Sequence, residues 1–368
     1  MKILILAPIP PPFTGNSLPV QSLYNHLSKN HIVDVINLNK KDHKAGVSSL
    51  SRIFRILSIL WKFFRVHKNY DLIYLTVAES FAGNMRDCVI YFIARKHLSN
   101  LFIHMLGGAA MANILNPENN GFQFRMNKKY VSQLGAVVVE GQKQKESFMN
   151  VIEASKIHIN SNYAEEFLFV DKDQIRQNFA NTVPLNILFL SNLLPGKGHM
   201  ELIEAYHRLD THEKEQIHLE LAGKIVDPQN EERFYSLLKD ETNVVYHGSV
   251  AGEVKKDIYS NAHVFCLPTY YPYEGQPFCI VEAYASGCFV VTSNHSGIPH
   301  IYKDQVNGYA VENKSIPALV KMLRKLLNDK HLLMSVALSN LETAHSHYTE
   351  KIFLNRMDEV IESIKKEN

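Results

Sequence analysis

Several things are scarce in this chain of 368 residues. It has only four cysteines, Cys88, Cys266, Cys279 and Cys288, and none stand as C-x-x-C, which excludes a disulfide framework and a paired-thiol metal or redox motif. All four sit in apolar surroundings that suit reduced, buried thiols, so a reducing cytoplasm is expected. Net charge is low as well. Lysine plus arginine (39) nearly balance aspartate plus glutamate (37), leaving +2, which argues against a dedicated nucleic-acid binder. No apolar run reaches the roughly 18 residues that suggest a spanning helix. The nearest, Ile53 to Val66, is interrupted by Arg55, Ser58, Lys62 and Arg65. The opening "MKILILAP" lacks the length and cleavage site of a signal peptide and reads as a first strand. Neither half carries G-x-G-x-x-G after a strand, which sets aside a Rossmann oxidoreductase. No short internal repeat is present, and no low-complexity tract apart from the prolines at Pro8 to Pro12.

What is present alternates. Short apolar runs ("KILILA", "VDVINL", "LIYLT", "LFIHM", "GAVVV") are separated by longer helical patterns, as in parallel sheets covered on both faces. Such a length exceeds what one core usually supports, so two domains are expected. The pattern pauses in a polar, proline-ended stretch and resumes with "NILFLS", "IHLELAG", "VVYHG", "HVFCLP" and "CFVVTS". The expected division is an N-terminal Rossmann-like domain over 1–165, a linker or hinge over 166–184, and a second Rossmann-like domain over 185–348. The last helix, 349–368, is expected to pack back on the first domain. Two doubly wound α/β domains of this kind would face a central cleft and bind ligand at the carboxyl ends of their strands.

Two acids near one such strand end stand out. In "YEGQPFCIVEAYASG", Glu274 precedes a Gly275-Gln276-Pro277 turn, and Glu282 lies inside an apolar helical run. Pro277 suits a first helical turn, because its fixed φ and missing N–H cost nothing there. The amides of Phe278 and Cys279 would then be free for phosphate oxygens at the positive end of the helix dipole. Glu282, about one turn further in, could accept both hydrogens of a ribose diol. Glu274 could reach a sugar hydroxyl or stabilise positive charge on the ring.

This block, continued as "CFVVTSNHSGIPHI", resembles the E-x7-E signature of retaining glycosyltransferases of the GT-B fold, family 4 (group 1). The resemblance covers nearly the whole chain. "ILFLSNLLPGKGHMELIEAYHRL" is similar to the strand, Lys-Gly turn and helix that open the family's donor domain, and it implies that Lys197 contacts the donor diphosphate. "VKKDIYSNAHVFCLPT" and "DQVNGYAVE" resemble the blocks before and after the acidic motif. Asn192 stands where relatives usually carry an arginine, so it can donate a hydrogen bond but brings no charge to the diphosphate. In "APIPPPFTGNSLPVQSL" the family's glycine pair becomes Gly15 and Asn16, and asparagine tolerates left-handed backbone better than most residues. "LFIHMLGG" places His104 at a strand end before two glycines, like the family's histidine at the donor sugar or acceptor. Ser296 and Gly297 are expected to shape the loop around the nucleotide base or sugar; His300, where relatives carry an acid, is given no role.

The resemblance implies a metal-independent transferase without cofactors. It would move a sugar from a nucleoside-diphosphate sugar, UDP-linked by family preference, to a glycan or lipid-linked acceptor in bacterial surface-polysaccharide synthesis. Glu274, His104 and Lys197 are the expected catalytic residues. Asn192, Gly15, Asn16, Lys197 and Gly275 to Cys279 with Glu282 are the expected donor contacts. Over 51–68, Arg52, Arg55, Lys62 and Arg65 stand opposite a wide apolar face, which fits either a crossover helix or peripheral docking on the inner face of an anionic membrane. Three rivals remain open: a metal-dependent transferase using the D-x-D of Asp171 and Asp173, a nucleotide-sugar epimerase, and a non-catalytic nucleotide-sugar binding protein.

Overall fold

The computed structural model describes residues 1–11, 14–39, 49–107, 110–119, 121–180 and 182–367. Pro12 in the proline cluster and Gly108, the second glycine after His104, lie outside the described residues. Among the described residues, twelve strands form two six-stranded parallel sheets, one in each of two compact units. The first unit is Met1–Ser161 with Lys351–Asn368, and the second is Asn162–Glu350.

The first sheet runs β2-β1-β3-β4-β5-β6, with β1 Lys2–Ala7, β2 Ile32–Asn37, β3 Leu72–Thr76, β4 Leu101–Met105, β5 Ala136–Val139 and β6 Ile157–Ile159. β1, β3, β4 and β5 are apolar on both faces and almost wholly buried, as strands covered by helices on either side must be. The second sheet runs β12-β11-β10-β7-β8-β9, with β7 Leu185–Leu190, β8 Ile217–Ala222, β9 Val244–Tyr246, β10 Val264–Leu267, β11 Phe289–Thr292 and β12 Gly308–Ala310. Strand order reverses between β1 and β3 in one sheet and between β7 and β10 in the other, the two switch points of doubly wound sheets.

The segment 166–184, expected as a linker, is instead folded. It carries the helix Lys172–Ala180, whose Ile175 and Phe179 enter the core of the second unit with Leu168 and Val170. Its backbone is tied in too, since Val170 N donates to Ala285 O at 3.1 Å. Three or four buried side chains suffice to dock a short helix, and the polar residues around them conceal the pattern. The last helix, Glu350–Glu367, falls mostly in the first unit and buries Phe353, Met357, Val360, Ile361 and Ile364. Asn160 Nδ2 donates to Phe353 O at 3.0 Å, and His26 meets Asp358 at 2.8 Å.

All four cysteines are buried and unbridged. Among the described residues, no helix is long and apolar enough to cross a membrane.

Candidate functional site

The site is built from loops at the carboxyl ends of β7, β10 and β11, all in the second unit. After β7 the chain turns through Gly196, Lys197 and Gly198 into the helix His199–His207. Both glycines hold left-handed backbone, φ +92° and +87°, where a side chain would be strained. A Cβ on Gly198 would lie 2.4 Å from the carbonyl oxygen of Pro268. The turn is therefore pressed onto the end of β10, where Tyr270 N donates to Gly196 O at 2.7 Å.

That contact carries Lys197 to Glu274. The ammonium lies 2.9 Å from Oε1 and 2.8 Å from Oε2 of Glu274, with side chains only 11% and 7% exposed. Thr269 Oγ1 donates to Oε2 at 2.9 Å, and the Lys197 ammonium stands 5.0 Å from the centre of the Tyr271 ring. The lysine expected as a lone phosphate ligand and the acid expected at the sugar are thus one charge-assisted pair.

The loop after β11 braces Glu274 from the other side. Ser296, at φ +51°, donates its hydroxyl to Glu274 O at 2.5 Å. His295 Nε2 bonds Tyr271 O at 2.8 Å. A Cβ on Gly297 would come within 2.5 Å of Gly275 O, so glycine lets the two loops touch. Gln276 is buried and clamped to Asn162, whose backbone N donates to Gln276 Oε1 at 3.2 Å and whose Nδ2 donates to Gln276 O at 2.8 Å.

Pro277 is the N-cap of the helix Phe278–Ala285, one residue before the expected first turn. The amides of Phe278 and Cys279 fall in that turn, where no intrahelical carbonyl can accept from them. Glu282 follows, 3% exposed. Its carboxylate accepts from Lys255 Nζ at 2.7 Å and from Tyr259 OH at 3.0 Å, and Lys255 also reaches Glu165 at 3.0 Å. Burial alone would lower the Lys255 pKa, but the carboxylates of Glu282 and Glu165 outweigh it and hold the ammonium above its ordinary range. Both oxygens of Glu282 are engaged, yet each keeps a second lone pair for an incoming hydroxyl.

Lys255 and Tyr259 were not legible as site residues. They stand four apart on the helix Gly252–Ser260, so they share its inner side. Their spacing was the available signal, but an amphipathic helix offers several such pairs.

Asn192 is exposed beside the Lys197 turn. A cavity of about 310 Å³ borders Pro195, Gly196, His199, Glu201, Tyr270 and Lys314, but Lys197, Glu274 and Glu282 do not line it. Asp171 and Asp173, the D-x-D pair, have local work: Asp171 accepts from Gln174 N at 2.7 Å and Asp173 pairs with Arg176 at 2.6 Å. Among the described residues no group of three or more His, Cys, Asp or Glu is placed to hold a metal ion.

In the first unit, Gly15 and Asn16 form an exposed turn before the helix Leu18–Leu27. Asn16 does not take up the left-handed backbone its type permits; the turn is held instead by Thr14 and Ser17, with Thr14 N donating to Ser17 Oγ at 2.8 Å. His104 is fully buried in the first unit, its Nδ1 2.8 Å from Tyr74 OH and its ring stacked on Phe353 at 6.3 Å. Burial pushes its pKa down to about 3, so the imidazole is neutral near pH 7, and its Nε2 has no hydrogen-bond partner among the described residues. It stands on the face of β4 opposite Leu101, Ile103 and Met105, which enter the core cluster of the first unit.

Known proteins resemble this chain in part of its sequence and in its fold. Residues 170–340 match the family model of glycosyl transferases group 1. The capsular polysaccharide biosynthesis glycosyltransferase CapM of Staphylococcus aureus is 22% identical over 54% of this chain and 52% of its own length; the chain spans about half the length, or less, of the first curated relatives it matches. A Campylobacter jejuni α-1,4-N-acetyl-D-galactosaminyltransferase, named for a glycan on diphospho-undecaprenol, is 25% identical over 86% of each chain. The crystal structure of HepE from Anabaena in complex with UDP has the same fold, with a TM-score of 0.71, 18% identity, and 99% of this chain and 100% of that one covered. Residues 170–340 thus match the glycosyl transferases group 1 family, and the chain as a whole has the GT-B fold of two Rossmann-like domains.

Proposed function

We propose that the protein is a retaining glycosyltransferase that moves a sugar from a nucleoside-diphosphate sugar, UDP-linked, to a hydroxyl of a lipid-linked oligosaccharide in bacterial surface-polysaccharide synthesis. One observation carries this reading: Lys197 is held by both oxygens of Glu274 on the loop that leads into the amino end of Phe278–Ala285, within a unit that also buries Glu282. An ammonium and the free amides of a helix terminus suit a diphosphate, and a buried carboxylate beside them suits a diol. CapM is named for capsular polysaccharide and the Campylobacter jejuni enzyme for an undecaprenol-linked acceptor; HepE was crystallised with UDP and with UDP-glucose. These likenesses support the donor and acceptor classes.

In this reading Lys197, the amides of Phe278 and Cys279, and Asn192 stabilise the departing diphosphate. Glu282 holds the ribose. Glu274 orients the sugar and keeps Lys197 aimed, with Gly275, Gln276 and Pro277 setting the loop, while Gly15 and Asn16 bring backbone to the phosphate. The bond from the anomeric carbon to the diphosphate oxygen breaks, the acceptor oxygen bonds on the same face, and its proton passes to the departing phosphate. The residues act by position and electrostatics. The test is product analysis with UDP-sugars and a lipid-linked acceptor: a product with the donor's anomeric configuration is expected. An inverted product, or an altered nucleotide sugar formed from donor alone, would replace this reading, the latter with an epimerase.

A further inference from the structure

The helix Ser49–Val66 crosses from β2 to β3, and the helix Phe81–Ile93 crosses from β3 to β4. Both crossovers step the same way along the sheet, so right-handed connections put the two helices side by side in one layer, where they pack together. Ser49–Val66 buries Ile59 and Phe63 against the sheet. On its other side Ile53, Leu57, Trp61 and Phe64 recur at i, i+4, i+8 and i+11, with Phe54 beside them. Phe81, Val89 and Phe92 repeat at i, i+8 and i+11 on the neighbouring helix. All eight are between 40% and 69% exposed. Scattered exposed hydrophobics are normal, but a continuous line of aromatics across two adjacent helices is not.

The exposed charges carried by these two helices are of one sign. Residues 49–68 contain no acid, and Arg55, Lys62, Arg65 and Lys68 border the apolar line. Arg65 lies over the Trp61 ring at 4.7 Å, and Arg95 over the Phe92 ring at 4.6 Å. The single acid on the second helix, Asp87, is fully buried and paired with Arg86 at 2.6 Å.

We infer that this two-helix face inserts into an anionic lipid surface, its aromatic line among the acyl chains and its arginines and lysines at the phosphates. The charge pattern selects this occupant. A second copy packed on the same face would set basic residues against basic residues, whereas anionic headgroups complement them, and aromatics with flanking cations match the layering of a membrane interface. The sequence left a crossover helix and membrane docking as alternatives for this segment; the structure makes it a crossover helix that also turns much of its apolar surface outward. This inference deepens the lipid-linked acceptor reading, since it names the surface on which such an acceptor is met, but its test needs no acceptor.

Trp61 is the chain's one tryptophan, so emission excited at the red edge of the absorption band, where tyrosine does not absorb, reports this face alone. The full-length protein is titrated with vesicles of phosphatidylglycerol and phosphatidylcholine, with phosphatidylcholine alone, and with brominated acyl chains. Expected are a blue shift and bromine quenching with the anionic vesicles only. Partitioning should fall at least tenfold in Phe54→Ser/Phe64→Ser, and about fivefold per charge removed in Lys62→Gln and Arg65→Gln. All four residues sit on the helix surface, and unchanged melting of each variant checks the fold. Anionic vesicles that bind without moving Trp61 emission, equal partitioning into neutral vesicles, or a blue shift without vesicles accompanied by a doubled mass would each overturn the inference. UDP binding on the same samples is a separate readout, so its loss would count against the donor site and leave the membrane face standing.

Discussion

Lys197 and Glu274 stand in loops 77 residues apart in sequence, yet the ammonium lies 2.8 to 2.9 Å from both carboxylate oxygens, almost out of water. Two glycines on one loop and a third opposite make this approach sterically feasible. Each charge is the other's main compensation, so the pair joins the stability of the unit to the chemistry proposed for it.

Removing one partner strands the other charge. Lys197→Met or Glu274→Ala alone is expected to cost about 3 kcal/mol of stability, whereas Lys197→Met/Glu274→Gln, which removes both charges, should recover most of it. Urea melts of the three variants check this. Turnover should stay low in all three, because each lacks the ammonium or the carboxylate that aims it, and the double variant regains stability without either charge.

Glu282 and Lys255 should separate by assay. Glu282→Gln is expected to raise the donor Kd with a smaller effect on kcat. Lys255→Met leaves Glu282 buried without its cation, so it should lower both stability and donor affinity. Titrations with a nucleotide sugar beside urea melts read the difference, and unchanged donor affinity in a destabilised Lys255→Met would mean that Lys255 only supports packing.

Gly297 touches Gly275 O closely enough that a methyl group must displace one of the two loops. Gly297→Ala should lower turnover about tenfold by moving Glu274, since small misplacements near reacting atoms are costly. Its φ of −83° suits alanine, so any loss is steric. Steady-state kinetics beside a melting curve distinguish a displaced loop from a general loss of fold.

His104 offers an acid-side prediction. Its folded pKa of about 3 lies below its unfolded value near 6.5, so the unfolded chain binds a proton that the folded chain refuses. The contribution to stability is complete above pH 6.5 and is lost as pH falls toward 3, by on the order of 3 kcal/mol at pH 4. His104→Gln, which keeps an acceptor for Tyr74 OH, should flatten that part of the melting-temperature profile and leave turnover near wild type. A collapse of turnover with an unchanged profile would assign His104 to the reaction rather than to stability.

Much of the fold was legible because buried parallel strands write themselves as unbroken apolar runs; β1, β3, β4, β5, β7 and β10 all do. β6 and β12 were missed because three residues, "IHI" and "GYA", are too few to show a pattern. The polar run at 166–184 hid a docked helix, since Ile175 and Phe179 alone face its core. At the site, Lys197, Glu274 and Glu282 could be singled out by order and spacing. Their partners could not, because Lys255 and Tyr259 reach Glu282 through tertiary packing. The burial of His104 was hidden for a related reason: a strand-end position does not say how deeply a side chain is enclosed. On Ser49–Val66 apolar residues cover most of the helix, so periodicity alone could not tell Ile59 and Phe63, which pack inward, from Trp61 and Phe64, which do not.

The most direct measurement is the affinity of UDP, by calorimetry, for the wild type and for Lys197→Met and Glu282→Gln. Saturable binding to the wild type, weakened about tenfold or more by each substitution in proteins that melt as folded chains, is the expected result. UDP binding that neither substitution alters would contradict a donor site built on Lys197 and Glu282.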